Sequence, residues 1–161
     1  MGVLKLKISL GEEALAMLNE VTMEEKDPPT AAHFLFKEAI RPRVKETAET
    51  RKLIHARGSL TLPNGKEITV SDLDSVGPLE SYPDGQIEIP ISDRVKGWIE
   101  ETAGYIAAVN RLSGTKLQWT TPREYVREIC LAAIATKAAK IDADELDEDE
   151  KAFDKPPAHT A

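Results

Sequence analysis

Leu4, Leu6, Ile8 and Leu10 alternate with Lys5, Lys7 and Ser9 at the start of the chain. A period of two marks a strand with one buried and one open face. Such a strand cannot cover its own apolar side, so the fold must bring a second strand or a helical layer to it. The same alternation returns at Gln86–Ser92, where Ile87, Ile89 and Ile91 share a face. Each strand is followed by two helical patterns.

After the first strand, Gly11-Glu12-Glu13 opens a helix with acids in the turn that the macrodipole favours. Leu15, Leu18 and Val21 form its stripe, and Asp27-Pro28-Pro29 is expected to end it, because proline removes a donor and restricts its predecessor. Thr30 is the expected N-cap of a second helix carrying Phe34, Leu35, Ala39 and Ile40. Pro42 should kink or restart that helix. The stretch from Arg41 to Arg57 holds six bases (Arg41, Arg43, Lys45, Arg51, Lys52, Arg57) against Glu46 and Glu49.

After the second strand, Ser92 or Asp93 caps a helix with Val95, Trp98, Ile99, Ala103, Ile106 and Val109 inward, and Ser113-Gly114-Thr115 closes it. Trp98 and Tyr105 read as core. Thr121-Pro122-Arg123-Glu124 then combines a threonine cap, proline at the first helical position and glutamate at the third. Tyr125, Val126, Ile129, Cys130, Ala133 and Ile134 are its buried stripe. Trp119 is either a staple onto this helix or a partner contact.

Between the two units, 58–70 reads as a hairpin. A two-residue Asn64-Gly65 loop would oppose Leu62 to Glu67. A three-residue Pro63-Asn64-Gly65 loop opposes Leu60 to Ile68 and Thr61 to Glu67, keeps the faces consistent, and puts glycine at the left-handed position. The polar stretch 72–85 reads as a linker. The expected division is therefore 1–57, a hairpin and acidic linker at 58–85, 86–140, and a disordered acidic tail at 141–161.

Charge follows this division. The chain carries −7, of which −6 falls in 141–161 and −5 in 58–92, while 1–57 is +1 and 93–140 is +3. Neither unit has the strongly basic footprint of a typical nucleic-acid binder. No apolar run approaches the roughly 18 residues of a membrane span, and the single Cys130 makes no internal disulfide, so a reducing cytoplasm is expected. His33, His55 and His159 lack metal-ligand spacing, and no phosphate loop or nucleophile elbow is present. No cofactor, metal or enzymatic activity is expected.

Strand, helix and capped helix, stated twice, resembles the ribbon-helix-helix fold of the Arc and MetJ repressors. The closest local likeness is Thr121-Pro122-Arg123-Glu124-Tyr125-Val126-Arg127-Glu128-Ile129, which is similar to the start of that family's second helix. The resemblance implies a mainly helical protein with short strands, its two units forming either an intramolecular pseudo-dimer or an intertwined homodimer. It also implies a strand ribbon in the major groove of double-stranded DNA, and a transcriptional regulator of bacterial, plasmid or phage type. Carried over by position, Lys5, Lys7 and Ser9 would read bases from the first strand, and Gln86, Glu88, Pro90 and Ser92 would stand on the second. Thr30 with Ala31, and Thr121 with Arg123, would hold phosphates at helix starts.

Lys5 and Lys7 equally suit the solvated face of an edge strand. Arg41, Arg43 and the bases beyond them suit either a solvated helix or a phosphate track. Glu88 and Pro90 depart from a base-reading pattern. The rival reading is a protein-protein module, antitoxin-like or a phage-type inhibitor, acting through the acidic middle segment and tail.

Overall fold

The computed structural model describes residues 2–22 and 28–154. It is mainly helical, with two short antiparallel strand pairs. In chain order the elements are β1 (Val3–Ile8), α1 (Glu12–Thr22), α2 (Pro28–Arg57), β2 (Ser59–Thr61), β3 (Glu67–Thr69), α3 (Val70–Leu73), β4 (Ile87–Ser92), α4 (Asp93–Leu112) and α5 (Pro122–Asp154).

β1 and β4 pair antiparallel, with Leu6 opposite Ile89, Lys7 opposite Glu88 and Lys5 opposite Pro90. Leu4, Leu6 and Ile8 of β1 and Ile87, Ile89 and Ile91 of β4 thereby fall on one side. Leu6, Ile8, Ile87, Ile89 and Ile91 are buried, along with Phe36 and Ile40 of α2, Ile99 of α4, and Val126, Ile129 and Ile134 of α5. Each fully buried aliphatic side chain contributes about 1.5–3 kcal/mol of transfer free energy, so this sheet face organises the main core. α2 packs on both α4 and α5, and α1 on α5. Cys130 is buried and its thiol is pushed up to about 12 by desolvation, in keeping with a small hydrophobe.

The helices depart from the sequence expectation at three places. α2 begins at Pro28, so the proline pair opens a helix, and Thr30 sits inside the first turn rather than at the cap. Proline is tolerated there because the first helical amides have no partner to lose. Asp27 lies outside the described residues. Secondly, α2 runs through Pro42 without a break, and Arg43 Nη1 donates to the Ala39 carbonyl at 2.6 Å in the turn that the proline loosens. Thirdly, α5 continues to Asp154, across much of the stretch expected as a disordered tail. Once a helix is anchored in the core, each added residue avoids the nucleation cost, and no glycine or proline interrupts it before Pro156.

The β2–β3 hairpin has the expected three-residue loop: Leu60 faces Ile68, Thr61 faces Glu67, and Leu62 donates to Lys66 across the turn. Gly65 takes the left-handed conformation at φ 86°. Asn64, at the tip, donates to the Leu112 carbonyl and so satisfies an orphan acceptor at the end of α4. Ile54, Ile68, Leu73 and Ala108 form a second, smaller core that seats the hairpin and α3 on α2 and α4. Leu73 and Leu79 are buried, which ties down the segment read as a linker.

Asp72 accepts from the Thr69 amide and hydroxyl and from Arg111 of α4. Its carboxyl is held below the 3.8 of a free aspartate, chiefly by the Thr69 backbone N–H. A carboxylate with a depressed folded-state pKa stabilises above its unfolded value, and that contribution is lost as pH falls through the folded value. In urea titrations, Asp72→Asn should lower stability at neutral pH and leave a shallower loss of stability below about pH 4.

Gly104 lies buried in α4 beneath α3, where an added Cβ would clash with the Leu73 carbonyl oxygen. Helix propensity alone makes Gly→Ala stabilising by about 1 kcal/mol. The clash is with backbone, so it must displace α3, and overpacking of that kind costs about 1–3 kcal/mol or more. Gly104→Ala should therefore reduce the urea midpoint.

Candidate functional site

The outward face of the β1·β4 ribbon carries Lys5, Lys7 and Ser9 from one side and Glu88, Pro90 and Ser92 from the other. Lys5, Ser9, Pro90 and Ser92 are exposed, whereas Lys7 and Glu88 are half-buried. The cationic and anionic side chains stand directly opposite each other at Lys7 and Glu88, a favourable cross-strand pair. Positive charge on this face therefore belongs to β1.

The free edge of β1 is covered. The Lys7 amide donates to Ser81 Oγ at 2.9 Å, and the Lys7 carbonyl accepts from Arg123 Nε at 2.8 Å. Gly85 passes so close that a Cβ there would lie 2.7 Å from that of Lys7. Arg123 also donates to the Asp84 carbonyl and stacks on Tyr82, its guanidinium 4.8 Å from the ring centre. These contacts blunt an edge that would otherwise invite pairing with another strand. They also turn Arg123 toward the protein.

One turn further along α5, Arg127 donates from Nε to the Ser9 carbonyl at 2.7 Å. Together the two arginines border a small depression of about 220 Å³, shared with Ile8, Ser9, Asp84 and Glu124. Arg127 was not among the residues expected at a site. Its signal was the four-residue spacing from Arg123, which puts both on one helix face.

At the start of α5, Thr121 Oγ accepts the Glu124 amide. The Glu124 carboxylate reaches back to the Thr120 amide, one residue before the cap. Trp119 is buried against Tyr125, ring centres 4.8 Å apart, which makes it the staple of this helix. The Tyr125 hydroxyl, pushed up to about 12 by desolvation, stays protonated. The amides here are thus largely committed to the protein's own groups.

The other expected site residues are dispersed. Gln86 Oε1 accepts from the Leu10 and Gly11 amides and fixes the turn between β1 and α1. Thr30 stands in the first turn of α2, and Ala31 is buried. Arg43 turns back on its own helix, whereas Arg41 is exposed and lines a different feature, the groove between α2 and α4.

That groove, of about 930 Å³, runs between α2, the end of β4 and the first turns of α4. Phe36, Ile40 and Ile91 contribute apolar surface, and Trp98 stands on it 40% exposed, with Arg94 5.0 Å above the ring. Trp98 is therefore a groove residue and not the core residue its helical stripe implied. Arg51 is buried beneath, donating to Thr47 Oγ, the Val44 carbonyl and Glu101.

Among the described residues no group of acids, histidines or cysteines is arranged to hold a metal ion, and no helix is long and apolar enough to cross a membrane. Comparison with protein-family models, curated proteins and solved structures returned no match.

Arg123→Ala removes two charge-assisted bonds, each worth about 1.5–3 kcal/mol at most, and the Tyr82 stack. The expected outcome is a lowered urea midpoint together with faster hydrogen exchange at the Lys7 amide, because the segment that carries Ser81 loses its anchor.

Proposed function

We propose that this chain is a DNA-binding regulator of ribbon-helix-helix type, whose two strand-helix-helix units pair within one chain as a pseudo-dimer. The observation that carries this reading is the antiparallel β1·β4 ribbon, backed by helices and presenting Lys5 and Lys7 outward. The helix contacts support it: α1 on α5 is matched by α4 on α2, and the second helices of the two units, α2 and α5, pack on each other. That is the pattern of two intertwined equivalents.

Recognition in this reading is one-sided. Lysine donates to guanine O6 and N7 in the major groove, so β1 reads bases. Glu88 and Pro90 offer no such donor, and β4 acts as the support strand. Arg123 and Arg127, beside the end of β1, supply positive charge where a backbone phosphate would pass.

A pool of random-sequence duplexes, selected on the full-length protein and then titrated at two salt concentrations, tests the reading. Lys5→Ala/Lys7→Ala should weaken binding by about tenfold or more, at ~1–3 kcal/mol per lost base contact, and reduce the salt dependence. Glu88→Lys should strengthen binding by relieving repulsion from the phosphates. Failure of the intact protein to bind any duplex would refute the proposal and favour the rival reading, a protein-protein module. That rival draws support from Asp142, Asp144, Glu145 and Asp147, which are exposed on α5.

A further inference from the structure

The groove between α2 and α4 combines an apolar floor with a cationic rim. Lys37, Arg41 and Lys45 follow one another at four-residue spacing along α2, and Lys52 extends the row. The one acid lining the groove, Glu101, already pairs with Arg51 and His55. Among the described residues, none of the four rim cations is ion-paired. Row and floor together ask for an acidic ligand with an apolar side.

The end of α5 has that chemistry. Among the described side chains, Ile141 is the last of this helix that packs against the core. From there Asp142, Asp144, Glu145 and Asp147 are exposed, and Leu146 among them is 58% exposed on an otherwise charged helix. The rim from Lys37 to Lys52 spans about 22 Å at 1.5 Å per residue, and α5 beyond Lys140 spans about 21 Å. The lengths, charges and apolar components match.

We propose that the acidic end of α5 docks into the α2–α4 groove of a second copy of this chain. α5 is continuous from Pro122 to Asp154, so its end cannot fold back onto its own body without breaking the helix. A neighbouring copy meets no such obstacle. Leu146 enters against Phe36, Ile40 and Trp98 while the carboxylates face Lys37, Arg41 and Lys45, the mode in which an amphipathic helix occupies a groove. Exchange of both ends gives a closed twofold dimer with two such contacts. This inference does not depend on DNA binding.

The test is sedimentation of the full-length protein over a wide concentration range at low and high salt. The wild type should form a dimer that dissociates as salt screens the contact. Lys37→Glu/Arg41→Glu/Lys45→Glu should abolish the dimer. Asp142→Lys/Asp144→Lys/Glu145→Lys/Asp147→Lys should abolish it too, and every substituted side chain is exposed. Mixing the two variants should restore a heterodimer, since each reversed surface meets its complement. Circular dichroism confirms that both variants remain folded. A wild type that stays monomeric would leave the groove to some other acidic ligand and overturn the proposal. So would a dimer that survives either set of reversals, or a mixture that fails to recover one.

Discussion

The apolar face shared by β1 and β4 makes the largest demand on the rest of the chain. Leu6, Ile8, Ile87, Ile89 and Ile91 are all buried, and none of them can be covered by its own strand or by the helix next in sequence alone. Helices from both ends of the chain close over the sheet face, and the sheet's register follows from keeping these five side chains together. A slip by one residue would turn the whole row to solvent and bring lysine and glutamate into the core. Once that register is set, the position of Lys5 and Lys7 on the open side is a geometric consequence.

The edges and ends of the fold are secured by polar contacts of longer range. Arg123 grips the outer edge of β1, Gln86 fixes the turn that leaves it, and Asn64 closes the end of α4. Asp72 ties α3 to Arg111. These side chains come from the middle segment or the second unit, and each satisfies backbone or charge that would otherwise stand open. Charge left over from such pairing is segregated: cations line α2 in the groove, and acids crowd the end of α5.

Much of the local structure was legible because it has a period or a cap. Alternation located β1 and β4, face matching chose the hairpin loop, and the Thr121-Pro122 start located α5. What sequence could not convey was set by contacts between distant residues. Leu73 and Leu79 sit in a turn-rich stretch whose polarity hides their burial. Arg123 reads as a helix-start cation until Lys7 and Tyr82 are known to lie beside it. Trp98 shares a helical stripe with Ile99, yet one step around the helix carries it from the core to a groove rim. Pro42 and the acidic residues after Lys140 illustrate the weakness of local breakers against a helix already anchored in the core. The site was legible in part: the outward position of Lys5 follows from alternation, whereas the groove depends on how α2 and α4 are set apart.

The partner of Ile8 is Ile87, so the ribbon joins the start of the chain to its middle. On the ribosome, at roughly 5–20 residues per second, β1 emerges seconds before the strand that covers its edge. The nascent first half therefore carries an unpaired strand with a row of leucines, and it cannot complete its core until translation has passed Ser92. Contacts this remote in sequence also slow refolding of the finished chain, because loop closure must precede any gain from pairing. The arrangement that joins both halves in a single polypeptide thus makes the earliest-made segment depend on one of the later ones, and leaves the interval between them as the period in which the chain is most exposed to aggregation.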